Sequence, residues 1–379
     1  MNFFIKTYGC QMNIYESQQL KEKLLELNSL EAKGLSEADL FIINSCSVRQ
    51  AAEDSVYGLG KVIKSLVRKP VVILTGCLTG AAKSTRRRYE VSYLQKKAPF
   101  VDYFLTNEEL LASLPEIVLS SRTMIRDPGK TFSGDSGFRV KTGTVRFPVK
   151  PGMTKEKGEY VPISYGCNNF CSYCIVPYAR GPEHSRPFGE IRKEVKELIS
   201  RGTTEIMLLG QNVNSWEGVS SAPRFSDLLR AVHNLPGLTK LSFMSSNPCD
   251  FSDDLVNTLK LPKIDRYLHL PVQSGDDAVL KRMNRHYTAE DYLALVSKIR
   301  QAVPKIRIGT DIIVGFPGET EEEFKNTLDL VNKVGFKQVF VAMYSPRKGT
   351  VAAETMIDSV PKNVKRQRHN KILKLCKPK

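Results

Sequence analysis

Cys167, Cys171 and Cys174 form a C-x3-C-x2-C run, three of the eight cysteines in this 379-residue sequence. Three thiolates from one short loop can hold three irons of a four-iron cluster and leave the fourth iron without a protein ligand. An open metal position is where a substrate or cofactor can bind and react, whereas a closed four-thiolate site is structural or carries electrons. Zinc is the rival ion. The three cysteines leave its tetrahedron one ligand short, and the nearest histidine, His184, lies ten residues past Cys174. Cys10, Cys46 and Cys77 are spread more widely, and their meaning depends on the elements that carry them.

Those elements alternate. Phe3–Thr7 reads as a strand before a helix over Glu16–Leu27, and Leu40–Ile43 as a strand before a helix running to about Val67. Val71–Leu74 is a third strand followed by a basic helical stretch, and Val101–Leu105 a fourth, before a helix opening near Asn107. Strands alternating with helices imply a doubly wound parallel sheet. Cys10 follows the first strand, Cys46 the second and Cys77 the third, so all three sit at one end of that sheet. Neighbouring strands are ~4.8 Å apart, so their loops can converge on one site at the carboxyl ends. A second cluster with an open iron is expected there. The alternative is three separate buried thiols, since free cysteine is commonly buried. Cys249, in Asn-Pro-Cys-Asp, and Cys376 lack such companions and read as bystanders.

Residues 119–159 break the rhythm with six glycines, three prolines and little apolar periodicity. They read as a linker between an N-terminal domain at 1–118 and a second domain at 160–379, with a short hairpin open within Phe138–Phe147. Beyond it the expected strands are Val161–Ser164, Glu205–Leu209, Lys240–Met244, Tyr267–Leu270, Ile306–Val314 and Gln338–Tyr344. Helices such as Glu190–Ile199 and Glu321–Val334 lie between them. Six strand–helix units make a partial (β/α)6 barrel rather than a closed eight-fold one. Gln211, Asn212, Gln273 and Asp311 fall at or near its strand ends, as ligand contacts or as interior polar packing. Thr320 with Glu323 reads as a helix capping box, and the lone Trp216 as packing before base stacking.

Charge points outward. Lys and Arg number 56 against 40 Asp and Glu, a net +16 that favours an acidic partner, nucleic acid first. Eight of these cations lie in the last 18 residues, a basic tail from Lys362 to Lys379 without an acid. A second cluster comprises Lys83, Arg86, Arg87, Arg88, Lys96 and Lys97. No run of ~18 apolar residues suggests a membrane span, and the start MNFFIKTYGCQMN lacks the apolar core of a signal peptide. A cytoplasmic location is expected, where spaced cysteines suggest metal sites before disulfides.

The stretch Ser164-Tyr-Gly-Cys-Asn-Asn-Phe-Cys-Ser-Tyr-Cys-Ile-Val-Pro-Tyr-Ala-Arg-Gly181 resembles the radical S-adenosylmethionine superfamily, and in particular its methylthiotransferase branch. Thr7–Asn13, Asn44–Arg49, Leu208–Ser215, His269–Gly275 and Thr310–Glu319 carry the resemblance over nearly the whole chain. Gln11-Met12-Asn13 favours the members that act on isopentenylated adenosine in tRNA. That likeness implies two [4Fe-4S] clusters and S-adenosylmethionine as cofactors. Cys167, Cys171 and Cys174 would hold the radical-generating cluster, and Cys10, Cys46 and Cys77 the one presenting sulfur. Gln211, Gln273 and Asp311 become candidate S-adenosylmethionine contacts.

The implied reaction adds a methylthio group at C2 of N6-isopentenyl-adenosine beside the tRNA anticodon, with sulfur and electron donors unspecified. Such an exposed loop base needs no duplex opening. Sister activities on threonylcarbamoyl-adenosine or on a ribosomal protein remain open, as does a non-enzymatic iron–sulfur or zinc protein that binds nucleic acid. The family normally continues into a small RNA-binding β-barrel domain, which this sequence, ending at Lys379, does not include.

Overall fold

The computed structural model describes residues 1–126, 158–218 and 223–376. The chain divides into two compact units, Met1–Thr154 with Tyr178–Gly181, and Lys155–Pro177 with Pro182–Lys379. The expected hairpin within Phe138–Phe147 and most of the expected linker lie outside the described residues.

In the first unit, strands β1 (Asn2–Tyr8), β2 (Leu30–Glu31), β3 (Leu40–Ser45), β4 (Val71–Gly76) and β5 (Tyr103–Phe104) form one parallel sheet in the order β2-β1-β3-β4-β5. Helices α1 (Gln11–Glu26), α2 (Gln50–Ser65), α3 (Cys77–Lys83), α4 (Val91–Lys97) and α5 (Asn107–Arg126) cover both faces. Side chains alternate across a strand, and β3 shows the result. Phe41 and Ile43 pack with Val56, Leu59 and Ile63 of α2, while Leu40 and Ile42 pack with Leu20 and Leu24 of α1 and Leu110 and Leu114 of α5. This is the doubly wound sheet the alternation implied. Helix α1 begins five residues earlier than its apolar spacing suggests, because Cys10 occupies an extended N-cap position closed by Asn13. Helix α5 continues eight residues past the expected domain edge at 118, through Pro115.

The second unit opens with β6 (Gly158–Pro162) and the short β7 (Ser164–Tyr165), then α6 (Val176–Ala179), whose last two residues belong to the first unit, β8 (His184–Ser185), α7 (Phe188–Ser200) and β9 (Glu205–Leu209). It continues through α8 (Phe225–His233), β10 (Lys240–Phe243), α9 (Asp253–Thr258), β11 (Tyr267–His269), α10 (Asp277–Arg282), α11 (Ala289–Ala302), β12 (Arg307–Val314), α12 (Glu321–Val334) and β13 (Gln338–Met343). Two three-stranded parallel segments, β10-β9-β6 and β11-β12-β13, are joined by a parallel bridge between Leu241 and Ile264. All six expected strands are present, packed around one apolar core.

Helices α13 (Val351–Thr355) and α14 (Lys362–Leu375) complete the unit. The expected basic tail is therefore largely a folded helix. Ile372 is fully buried in the barrel core, and Lys365 and Arg368 are buried with it. Lys365 Nζ pairs with Asp358 at 2.5 Å, and Arg368 Nη1 reaches Glu319 Oε2 at 2.7 Å and the Glu319 carbonyl at 2.9 Å. Charge counting cannot separate such cations from those left in solvent, namely Lys362, Arg366 and Lys374. Among the described residues no helix is long and apolar enough to cross a membrane.

Candidate metal and cofactor sites

In the first unit the register aligns Tyr8 with Ser45 and Ser45 with Gly76. Cys46 and Cys77 thus stand one residue beyond the same rung, and Cys10 two residues beyond it, on three adjacent strands with β3 in the middle. The strand order reverses between β1 and β3, with α1 leaving to one face and α2 to the other, and such a switch point opens a crevice at the carboxyl ends. Helix α1 starts at the residue after Cys10 and α3 at Cys77 itself.

A buried amide network fixes this edge. Asn44 Nδ2 donates to the Asn13 carbonyl and to Ser17 Oγ, both at 3.0 Å, and Asn44 Oδ1 accepts from Asn13 Nδ2 at 2.9 Å. Asn13 Oδ1 in turn accepts from the Cys10 amide at 3.3 Å. The chain turns into Cys77 through Gly76, at φ +85, where an added Cβ would fall 2.3 Å from Asn44 Oδ1. No other residue fits there without moving the asparagine.

Burial pushes the Cys77 thiol up to about 12, with the Arg180 guanidinium pulling the other way, its Nε 3.1 Å from Sγ. Burial also raises Cys46, against the Val48 amide, which donates to its sulfur at 3.2 Å. Thiols held this high are poor free nucleophiles, whereas a metal deprotonates a coordinating thiol outright. An all-sulfur donor set selects iron–sulfur clusters or zinc. Among the described residues no three Cys, His, Asp or Glu side chains gather around a single ion. A cluster binds its thiolates through separate irons, and an all-sulfur set on three neighbouring strand ends has the donor chemistry for one.

The second triad lies in the loop after β7. Cys167 and Cys171 are buried and Cys174 half-buried, with the Cys174 amide donating to the Cys171 carbonyl at 2.9 Å. The loop enters through Gly166 at φ +76, whose amide donates to Gln211 Oε1 at 2.7 Å. The segment after α10 clamps the loop from behind. Ser172 Oγ donates to the Arg282 carbonyl at 2.8 Å, the Ser172 amide to the Met283 carbonyl at 3.0 Å, and Asn284 Nδ2 to the Phe170 carbonyl at 3.0 Å. Arg285 Nη1 points at Cys171 Sγ, 3.4 Å away. Burial raises Cys167 to about 11 and drives Cys174 higher still.

Other expected contacts divide. Gln211 is committed to the Gly166 amide and so positions the cysteine loop. Asp311 Oδ2 meets His269 Nε2 at 2.8 Å, and Gln273 is buried with an unusual φ of +69. Asn212 Nδ2 is held by Asp250 at 2.6 Å. At the ends of three strands, Ser164 Oγ, Asn212 Oδ1 and Ser246 Oγ are buried without a hydrogen-bond partner. Orphaned groups cost ~1–3 kcal/mol each, and a polar ligand would satisfy them. Trp216 is packing, 1% exposed with its indole N–H donated to the Arg186 carbonyl at 3.0 Å. Thr320 and Glu323 form the expected capping box. Cys249 donates to the His286 carbonyl at 3.2 Å, apart from the triads' hydrogen bonds.

Of the basic cluster, Lys83 is paired with Glu109 at 2.6 Å, Arg87 with Glu90 at 3.2 Å, and Arg88 lies 3.9 Å over the Tyr178 ring. Arg180, Arg285 and the Asn13–Asn44 pair went unweighed in the sequence. Arg180 lay in plain view in Tyr-Ala-Arg-Gly, but nothing local said which side chain it meets. For Arg285 there was no signal.

Residues 161–331 match the Radical SAM superfamily model and residues 2–104 the Uncharacterized protein family UPF0004 model. The chain is 41% identical to a tRNA-2-methylthio-N(6)-dimethylallyladenosine synthase of Caldicellulosiruptor saccharolyticus, covering 98% of this chain and 77% of the relative. A protein of the same name from Clostridium botulinum strain Hall is 40% identical over 98% of this chain and 81% of its own length. Among solved structures, a radical S-adenosylmethionine methyltransferase from Kitasatospora setae, with tryptophan substrate and an S-adenosylmethionine analogue bound, superposes with a TM-score of 0.63. It covers 93% of this chain and 75% of its own at 14% identity, a likeness of fold alone.

Proposed function

Because the chain belongs to the tRNA-2-methylthio-N(6)-dimethylallyladenosine synthase family of radical S-adenosylmethionine enzymes, we propose that Cys10, Cys46 and Cys77 hold one four-iron cluster and Cys167, Cys171 and Cys174 the other. The enzyme is a methylthiotransferase, its cofactors are two [4Fe-4S] clusters and S-adenosylmethionine, and its substrate is tRNA carrying N6-isopentenyl-adenosine next to the anticodon. A cytoplasmic location suits that substrate. One observation carries the assignment of the first site: three thiols on adjacent strand ends, at the switch point of the sheet.

When bound, the second-unit cluster and S-adenosylmethionine supply one-electron cleavage to methionine and a 5′-deoxyadenosyl radical, the reagent an unreactive aromatic C–H bond demands. The chain's part is positioning. Gln211 and the 282–285 segment hold the second cysteine loop, while Ser164, Asn212, Ser246, Gln273 and Asp311 offer polar contacts for S-adenosylmethionine at the strand ends. The Asn13–Asn44 network holds Cys10 and Cys46 in register for the sulfur-bearing cluster.

Mass spectrometry of tRNA nucleosides tests the function. A strain lacking this gene should lose the 2-methylthio mark and keep N6-isopentenyl-adenosine, and the cloned gene should restore it. An unchanged nucleoside profile overturns the assignment. Anaerobic reconstitution should load about eight irons per chain for two four-iron clusters, with deoxyadenosine released on reduction.

A further inference from the structure

Each triad has one half-buried arginine whose guanidinium reaches one of its thiols, and the two cations differ in what balances them. In the first unit Arg180 Nε donates to Cys77 Sγ at 3.1 Å while its two other nitrogens grip Glu16, Nη1 to Oε1 at 2.6 Å and Nη2 to Oε2 at 3.3 Å. Both side chains are about one-tenth exposed. This bidentate pair brings no net charge to the site. In the second unit Arg285 Nη1 donates to Cys171 Sγ at 3.4 Å, but its other contacts are neutral. Nε donates to Tyr287 Oη at 3.0 Å, Nη2 to the Pro271 carbonyl at 3.4 Å, and the guanidinium lies over the Tyr287 ring at 5.0 Å. Among the described residues no carboxylate pairs with it. Arginine keeps its charge in proteins, so a positive charge with no carboxylate paired to it stands on Cys171, while Glu183 acts on Cys167 of the same loop.

We infer that Arg285 and the Arg180–Glu16 pair set the two clusters' reduction potentials apart, so that a single electron settles on the second-unit cluster while the first-unit cluster stays oxidised. The inference rests on the two-cluster reading above. Reduction adds one electron, from a low-potential one-electron donor, and breaks no bond. The added negative charge is stabilised by a nearby uncompensated cation and much less by a neutralised one. Net charge and hydrogen bonds to cluster sulfurs are among the chief determinants of such potentials. The two arginines are positioning residues, since neither need touch substrate. Their arrangement favours electron delivery where S-adenosylmethionine is cleaved and disfavours it where sulfur is held.

The test is potentiometry followed by electron paramagnetic resonance on the reconstituted full chain, with dithionite as reductant. Cys46→Ala isolates the second-unit cluster and Cys171→Ala the first. In the Cys46→Ala background, Arg285→Gln should lower the reduced-to-oxidised ratio at fixed potential about tenfold, which is about 59 mV for one electron. Arg285→Lys, which keeps the charge, should recover most of that loss. In the Cys171→Ala background, Glu16→Gln should move the first cluster the opposite way, towards easier reduction, by freeing Arg180 of its counter-charge. Changes below twofold in both Arg285→Gln and Glu16→Gln, in protein that holds its iron, overturn this inference and leave the two-cluster reading intact. Loss of all iron in both single-cluster backgrounds overturns both. Should Arg285→Gln alone fail to load, Glu16→Gln decides the matter by the same ratio.

Discussion

Asn44 is fully buried at the end of β3, two residues before Cys46, and makes three hydrogen bonds to α1. Replacing it with alanine removes all three. Each is worth about 1 kcal/mol net, and the stranded Asn13 amide adds ~1–3 kcal/mol, so the loss should be roughly 4–6 kcal/mol. For a unit of this size that corresponds to roughly a 15 °C fall in its melting temperature. The functional consequence is sharper than the stability loss. Asn13 anchors the Cys10 amide, so Cys10 loses its register with Cys46 and Cys77. Asn44→Ala should load about half the iron of the parent, with cleavage of S-adenosylmethionine retained and no methylthiolated nucleoside formed. Circular dichroism melting and iron content per chain measure the two effects. Asn13→Ala shares the same bond, so the double variant should cost less than the sum of the singles. A melting temperature within about 2 °C of the parent together with full iron content would refute the claim that this amide pair holds the site.

Cys171→Ala should abolish deoxyadenosine release under reduction, because only two thiolates remain in its loop; release at the parent rate rules out the assignment. Cys46→Ala should retain about four of eight irons and the cleavage reaction, and normal product from it would make the first-unit cysteines structural. Arg368→Met should destabilise the second unit by ~3–5 kcal/mol, since it leaves the buried Glu319 carboxylate without its cation, and thermal melting reads this directly. Arg366→Ala, two residues away and exposed, should leave the melting temperature unchanged and weaken tRNA binding at low salt, lowering the salt slope by about 1 if it meets a phosphate. Equal melting shifts at both positions would contradict the docked helix.

Local pattern carried much of this protein in its sequence. The three-cysteine spacing, the apolar runs of all six barrel strands and the punctuation of the first sheet are set by neighbours in the chain, where period and turn chemistry act. That is why Cys10, Cys46 and Cys77 could be assigned to one sheet edge before the sheet was seen. The order in which strands pair is not local. Only the fold puts β3 between β1 and β4 and so makes the three cysteines neighbours across the switch point. Contacts across long stretches of chain were equally illegible: Arg180 reaches Cys77 103 residues back, and Arg285 reaches Cys171 114 residues back. The C-terminal charges show the same limit. Eight cations counted alike, yet tertiary packing buries Lys365 and Arg368 against carboxylates and leaves Lys362, Arg366 and Lys374 in solvent. Composition fixes how much charge a chain carries, but its use depends on which groups lose water together, and only the folded chain decides that.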